Sequence, residues 1–399
     1  MVLARHQSSQ PRASSLARAR VAVRATSRDP FAAPPAAPSA ASPPAPADAH
    51  PPSVTLLPAS MQPFGRKTWT WRGHRCSYIT AGCGRTPVVL VHGFGASATQ
   101  WRRAFAALVD HGGFKVYAPD LLGFGASDMP LPSSAAEDGS GHFYRLELWR
   151  DQIADFCGEF CGGGGGDGGE GARPVLVGNS VGSLSCLMAA AGPVRAKGVV
   201  LLNTAGALNN KGVVSDWRVA LAYPIFLLVD LLLSVRPVAR ALFDGVRDPA
   251  NLAGVLKGAY GDEEGAGGVD DELVALVAGP AGREGALDVF VDVVTSPHYG
   301  PKPWDLVPEL KRRGTPLLVA WGTEDKLTPV DGPVGRYFKE LAAQEEEEAK
   351  RAGGGGGGGG GGPRGVTFAL LPGHGHCPHD DPRPTLARDH LLPWLASLP

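Results

Sequence analysis

The chain of 399 residues lacks an excess of charge, because 38 basic side chains face 39 acidic ones. Such a balance offers no electrostatic attraction to nucleic acid or to an anionic membrane surface, so we expect no nucleic-acid partner. The six cysteines include no Cys-x-x-Cys pair, and Cys157 and Cys161 lie one helical turn apart. We therefore expect free thiols in a reducing compartment, without a disulfide framework and without a bound metal.

The N-terminal region is poor in acid, since Asp29 and Asp48 are its only acidic residues within the first fifty. Six arginines and many serines precede a Pro/Ala-rich stretch, and the apolar segment of a secretory signal is missing. This composition predicts an organelle transit peptide and a disordered linker over 1–55. We expect a chloroplast address, with a mitochondrial address and an ordinary disordered tail as the alternatives.

Two glycine tracts, 162–171 and 353–362, lack large side chains that could pack in a core. They also lack the lysine and the serine or threonine of a phosphate-binding loop, so no nucleotide is expected. We interpret both as flexible insertions, each between a helix and the following strand.

The rest of the chain alternates apolar runs, typical of strands buried on both faces, with helical patterns. The predicted strands are 67–71 and 74–80 (a hairpin), 87–91, 115–118, 174–177, 198–202, 316–320 and 366–371. The predicted helices are 101–109, 146–160, 184–191, 334–351 and 382–395. This alternation predicts an α/β fold, a mostly parallel sheet with helices on both faces.

A helical stretch interrupts the alternation between about 204 and 303 and contains an almost unbroken apolar run, 219–235. Pro224 and Asp230 interrupt that run, which is short for a membrane span. It fits a buried core helix or an apolar helix of a lid over the site, and one helix can be both. We predict a first core part at 65–205, a helical lid at 206–303 and a second core part at 304–399.

One serine stands at a strand-to-helix turn, with Gly178 two residues before Ser180 and Gly182 two residues after it. A turn this sharp strains the serine backbone and leaves no room for side chains at the two glycines. The serine hydroxyl is then exposed at the carboxyl edge of the sheet, which is the position of a catalytic nucleophile.

A serine nucleophile needs a base, and the base needs an acid that orients it. Glu324 and Asp325 follow the strand 316–320, and either could be the acid. Three histidines follow the last predicted strand, and the sequence pattern leaves open which of them is the base: His374, His376 and His379. All these residues are expected at the carboxyl edge of the sheet, close to Ser180.

The oxyanion of an acyl-transfer intermediate needs backbone donors, and we expect the N–H groups of Val181 and Phe94 to supply them. No aspartate stands at position 180, which argues against a carboxylate nucleophile of the dehalogenase or epoxide-hydrolase type. No Cys/His cluster has zinc spacing, so neither a metal nor a cofactor is expected.

These motifs together resemble the α/β-hydrolase superfamily over about residues 65–398. The nearest likeness is to its chloroplast and cyanobacterial branch, which includes pheophytinase: Asn179 precedes the serine, and a His-Cys-Pro run begins at His376. The resemblance implies Ser180 as nucleophile, Asp325 as acid and His376 as base. It also implies a lipophilic ester substrate, such as the phytyl ester of pheophytin.

The sequence thus predicts a serine hydrolase that cleaves a small hydrophobic carboxylic ester through an acyl-enzyme intermediate. Alternatives are the same fold acting on a thioester or a C–C bond, or a plastid ligand receptor with residual hydrolase activity. Peripheral membrane contact through the lid is a further expectation. The chain departs from the pheophytinase pattern at Val181 and Ser183, in its lid and in the glycine tracts.

Overall fold

The computed structural model of the chain describes residues 57–59, 61–132, 141–162, 172–213, 215–261, 268–351 and 363–399. The predicted transit peptide and linker, 1–55, lie outside these residues. So do the glycine tracts 162–171 and 353–362, apart from Gly162.

Eight strands form one sheet within the described residues, in the order β1-β2-β4-β3-β5-β6-β7-β8. They are β1 (Arg66–Trp71), β2 (His74–Ala81), β3 (Thr86–Val91), β4 (Phe114–Pro119), β5 (Val175–Asn179), β6 (Gly198–Leu202), β7 (Leu317–Gly322) and β8 (Val366–Leu371). β2 pairs antiparallel with β1 and β4, and the other pairs are parallel. The predicted mostly parallel sheet and its N-terminal hairpin are confirmed.

The central strands are buried on both faces, which explains their unbroken Val and Leu content. Successive side chains point to opposite faces. Val89 and Leu176 therefore pack with the core cluster on one face, and Leu90 and Val177 with the cluster on the other.

Helices cover both faces of the sheet, and further helices form an insertion after β6. They are α1 (Arg102–Asp110), α2 (Leu146–Phe160), α3 (Val181–Ala191), α4 (Trp217–Ser234), α5 (Arg236–Arg247), α6 (Pro249–Tyr260), α7 (Asp271–Ala281), α8 (Ala286–Thr295), α9 (Pro303–Arg313), α10 (Pro333–Arg351) and α11 (Leu392–Ser397). We call the insertion α4–α8 the lid, and its presence confirms the predicted helical insertion.

The last helix differs from the prediction of 382–395. A 3-10 turn at Pro378–Asp380 is followed by a π-helical segment, Leu386–Leu391, that continues into α11. Pro382 and Pro384 account for the delay, because proline lacks an N–H donor and disfavours helix in the residue before it.

The apolar run 219–235 falls in α4, where Leu233 is the one residue classed as buried. The interpretation as a buried core helix is therefore wrong: α4 lies on the outside of the lid, with one face towards solvent. By length and composition α4 could cross a membrane, since its mean hydropathy is 1.6 and 6% of it is buried.

The strand order places the crevice of the sheet beside β3. The chain runs from β3 to β4 on one side, and β5 pairs with β3 on the other. Ligands of open parallel sheets bind outside the carboxyl ends of strands at such a switch point. The residues after β3 and β5 include Phe94 and Ser180.

Candidate active site

Ser180 joins β5 to α3 in a backbone conformation that non-glycine residues seldom adopt, with φ of 56°. A Cβ atom on Gly182 would lie 2.3 Å from the carbonyl oxygen of His92, and one on Gly178 would lie 2.5 Å from the Cα of Ser183. Backbone atoms cannot yield as a flexible side chain can. Glycine is therefore required at both positions for steric reasons.

Hydrogen bonds hold this strained turn in place. The N–H of Ser180 donates to the carbonyl of Leu202 at 3.0 Å, which ties the turn to β6. The Ser183 hydroxyl donates to the carbonyl of Gly178 at 2.6 Å. The strain is thus balanced by contacts on both sides of the turn.

The loop after β3 lies against the serine. A Cβ atom on Gly93 would be 3.1 Å from the Cβ of Ser180, so glycine allows the close approach. Phe94 and Val181, the predicted oxyanion donors, line the same cavity as Ser180. Their role as donors stays a prediction.

His376 and Asp325 form a buried pair, with 2.8 Å between Nδ1 of the imidazole and Oδ2 of the carboxylate. His376 lines the cavity together with Ser180. The side-chain amide of Asn179 donates to the carbonyl of His376 at 2.8 Å. This bond links the residue before the serine directly to the histidine.

Asp325 accepts several further hydrogen bonds. The Thr328 hydroxyl and the Asn203 amide each donate to Oδ2 at 2.6 Å, and the N–H groups of Leu327 and Thr328 donate to Oδ1 at 2.8 and 2.9 Å. Burial by itself would raise the pKa of Asp325. The charge of His376 and the hydrogen bonds from His376 and Thr328 outweigh burial, so the pKa is lowered. A carboxylate here holds a proton on Nδ1 of His376 and leaves Nε2 free to accept one.

The other residues considered from the sequence lie in different surroundings. Glu324 is exposed and accepts a hydrogen bond from Thr323 at 3.1 Å. His374 is buried, with Nδ1 3.1 Å from the carbonyl of Pro372. His379 packs on the indole of Trp101, with 4.2 Å between ring centroids. The geometry therefore pairs Asp325 with His376.

Sequence reasoning missed Asn203, which also has a positive φ, of 45°. Its amide nitrogen donates to Asp325, and its side-chain oxygen accepts from the N–H of Gly322 at 3.3 Å. A usable signal existed: Asn203 directly follows β6, as Ser180 directly follows β5. A polar residue directly after a buried strand is expected at the same edge of the sheet as Ser180, which makes it a candidate for the site.

Asn203→Ala is expected to lower kcat by about ten- to a hundredfold with little change in KM, because Asp325 loses a donor that fixes its position. Steady-state kinetics on an ester substrate measure kcat and KM separately. Asn203→Asp tests the effect of a negative charge in place of the donor to Asp325. A kcat equal to that of the parent would show that the remaining donors position Asp325 without Asn203.

His379 is a buried neutral imidazole, and neither ring nitrogen has a hydrogen-bond partner within the described residues. Burial, with the charges of His376 and His92, lowers the pKa of His379 to about 3. The unfolded chain takes up this proton near pH 6.5, long before the native state does. Acidification below that pH must therefore favour unfolding.

His379→Phe keeps the ring against Trp101 and removes the titration. Between about pH 7.5 and pH 5 we expect the parent to lose about 2 kcal/mol more unfolding free energy than the variant. Urea titrations at several pH values give both slopes. Parallel curves for parent and variant would contradict a neutral buried His379.

The lid contacts the loop that contains the paired histidine. The N–H of His376 donates to the carbonyl of Ala259 in α6 at 2.7 Å. A Cβ atom on Gly375 would lie 2.2 Å from the carbonyl carbon of Tyr260. The end of α6 therefore packs directly on the backbone of residues 375 and 376.

An ion network around the buried Arg102 lies beside this contact. Arg102 of α1 is 3% exposed, and its guanidinium lies 2.8 Å from Asp380, 2.9 Å from Asp270 and 2.5 Å from Glu272. The Tyr260 hydroxyl donates to Asp380 at 3.1 Å. The network joins α1, the histidine loop and the start of α7, so lid and core are held together beside the site.

A cavity of about 500 Å³ lies between the lid and the carboxyl edge of the sheet. Its lid side is mainly apolar and includes Phe226, Val229, Phe243, Leu256, Phe290 and Val293. The polar part of the cavity lining includes the ion pair between Lys211 and Asp230, whose charged atoms are 2.7 Å apart. The site thus combines a serine, a His–Asp pair and a largely apolar chamber.

Comparison with known sequences gives the same picture. A family model described as the alpha/beta hydrolase family matches residues 88–388. The soluble epoxide hydrolase of Corynebacterium sp. (strain C12) is 46% identical over 59 residues, 15% of this chain and 20% of that protein. The 1-acylglycerol-3-phosphate O-acyltransferase ABHD5 of Homo sapiens is 40% identical over 88 residues, 22% of this chain and 23% of that protein. The chain thus matches about a fifth of the length of these curated relatives.

Solved structures share the fold over most of the chain. The epoxide hydrolase CorEH has a TM-score of 0.57 at 17% identity, covering 84% of this chain and 100% of its own. A thermophilic esterase from Thermogutta terrifontis has a TM-score of 0.51 at 19% identity, covering 84% and 99%. Sheet order, lid insertion and the family match agree: the chain belongs to the α/β hydrolase family.

Proposed function

We propose that the chain is a serine-dependent hydrolase of hydrophobic carboxylic esters, with Ser180, His376 and Asp325 as its catalytic residues. The observation that carries the proposal is the 2.8 Å contact between His376 and Asp325, in a cavity that Ser180 also lines. Besides the ester and water, the proposed steps use only groups of this chain.

In the first step, Nε2 of His376 accepts the proton of Ser180 as the serine oxygen attacks the ester carbonyl. Asp325 stabilises the imidazolium that forms. The N–H groups of Phe94 and Val181 donate to the oxyanion. His376 then returns the proton to the leaving alcohol, and an acyl group remains on Ser180. Water, activated by His376, releases the acid and restores the serine.

The chamber supports a lipophilic substrate. Its lining from the lid is largely aliphatic and aromatic, and burial of apolar substrate surface there favours binding. The phytyl ester of pheophytin is our finer proposal, together with a chloroplast location for the chain. The phytyl ester rests on the sequence motifs around Ser180 and His376, and the chloroplast location rests on the composition of 1–55.

The names of the relatives suggest other reactions of the same fold. Hydrolysis of an epoxide through a covalent ester requires a carboxylate nucleophile, and this chain has Ser180 at that position. An acyl group on Ser180 could also pass to an alcohol acceptor instead of water. Ester hydrolysis is the simplest reaction that uses the serine with the His–Asp pair, and thioesters follow the same chemistry.

Turnover by the full chain on p-nitrophenyl esters of increasing acyl length, and on pheophytin, tests the proposal. We expect multiple turnovers and a kcat/KM that rises with acyl length. Release of phytol would support the finer proposal, whereas activity on simple esters alone would remove it. A folded protein that binds these esters without turnover would favour the ligand-receptor alternative.

A further inference from the structure

The lid helix α4 exposes one apolar face along its whole length. The exposed stripe comprises Trp217, Leu221, Ile225, Leu227, Leu228, Leu231 and Leu232, with exposures from 37% to 75%. With 18 residues, α4 spans about 27 Å. Both charged side chains of this fully described helix, Arg218 and Asp230, are outside the stripe and engaged in ion pairs.

The opposite face of α4 is turned towards the protein, and Leu233 is its buried residue. Phe226 and Val229 line the cavity, and Asp230 pairs with Lys211 of the core, which is 6% exposed. The side chain of Asp216 caps the N-terminus by accepting from the N–H of Arg218 at 2.9 Å. A helix anchored at these points can press its outer face on a lipid surface while it remains part of the lid.

The apolar surface continues to the rim of the cavity. Val246 of α5 and Val255 of α6 both line the cavity, yet they are 44% and 55% exposed, so they lie where it meets solvent. Leu242, on the same helix as Val246, is also exposed. The stripe and the cavity rim belong to one chain segment, α4–α6.

We propose that the outer face of α4 docks on the surface of a phospholipid bilayer, with the rim of the cavity towards the lipid. An exposed apolar patch of this extent marks an interaction surface, and burying it among acyl chains removes apolar area from water. Trp217 at one end supplies an indole suited to the headgroup level. Arg240 is exposed beyond the other end, where a lipid phosphate would meet it, and the neighbouring Arg236 is paired with Asp288. A lipophilic substrate could then enter the cavity without passing through water.

This docking does not depend on the proposed chemistry, so it can be measured with the Ser180→Ala variant of the full chain. Sedimentation with phosphatidylcholine vesicles, with and without phosphatidylglycerol, gives the partition coefficient. Because the chain carries a net charge of −1, we expect binding to neutral vesicles that changes little with salt. Leu221→Asp combined with Ile225→Asp is expected to weaken binding at least a hundredfold.

Leu370→Asp is the matched control, since Leu370 is 40% exposed on β8 and outside the cavity. It is expected to bind vesicles like the parent. In the chain that retains Ser180, the α4 double variant should keep its turnover of a short water-soluble ester. This result separates a loss of docking from a loss of chemistry. Circular dichroism and thermal unfolding identify a variant that does not fold.

The depth to which α4 enters the bilayer is measured by quenching of tryptophan fluorescence with brominated lipids. The quenched fraction should fall in Trp217→Phe. Equal vesicle binding by the double variant, or no binding by Ser180→Ala to either vesicle, would overturn the proposal. A concentration-dependent dimer that the α4 substitutions abolish, without vesicle binding, would make this face a contact between two copies instead.

Discussion

Ser180→Ala is expected to lower kcat on any ester that the chain hydrolyses by at least about four orders of magnitude. The methyl group cannot attack a carbonyl, and the remaining oxyanion donors and the cavity provide only the residual rate enhancement. The free energy of unfolding should change little, because alanine preserves the Cβ that packs beside Gly93. Single-turnover and steady-state kinetics, with chemical denaturation, measure both effects.

Ser185→Ala is the matched control for this substitution. Ser185 lies in α3, which begins directly after Ser180, and its hydroxyl donates to the carbonyl of Val181 at 2.9 Å inside the helix. It should retain turnover within a few fold of the parent. If Ser180→Ala stays active on every ester that the parent cleaves, Ser180 is not the nucleophile.

The second large effect is expected at His376. His376→Gln keeps an amide that can donate to Asp325, but it removes the nitrogen that accepts the serine proton. We expect kcat to fall by about four orders of magnitude, as for the loss of other members of such a unit. Combining the change with Ser180→Ala should cost hardly more than either change alone, because the two residues act in one step.

The neighbouring histidines provide the comparison. His374→Gln and His379→Phe alter buried rings that, within the described residues, form no hydrogen bond with Asp325, and each should keep kcat within about tenfold. Kinetics of the three variants under one set of conditions decide between the residues. A collapse of kcat in His379→Phe, with His376→Gln active, would assign the base to His379.

Much of the fold could be predicted because the central strands are uniformly apolar and bounded by breakers. β6 and β8 begin and end where the sequence predicts, as does α2. The end of the chain was harder, because Pro382 and Pro384 oppose the local helix propensity over 382–395 and the helix begins with a π-helical segment. Such irregular backbone depends on packing that a sequence pattern does not contain.

The site shows the same division. The spacing of Gly178, Ser180 and Gly182 carries its own steric explanation, so sequence alone could identify the turn. The choice between Glu324 and Asp325 could not come from spacing, because neighbouring residues differ only in which way they face. The hydrogen bond from Asn203 to Asp325 depends on strand order, which places β6 beside β7. The exposed face of α4 was equally hidden, since an apolar run does not reveal whether protein covers it.

The contact between α6 and the histidine loop has a consequence for how such proteins diversify. Lids are often regarded as exchangeable modules that change substrate range while the chemistry stays constant. Here the carbonyl of Ala259 fixes the N–H of His376, and Tyr260 packs on Gly375. A transplanted lid would need to reproduce the last turn of α6, or His376, the proposed base, would shift with it. We therefore expect substitutions that alter substrate range to fall in the cavity-facing residues of α4 and α5 rather than in the last turn of α6.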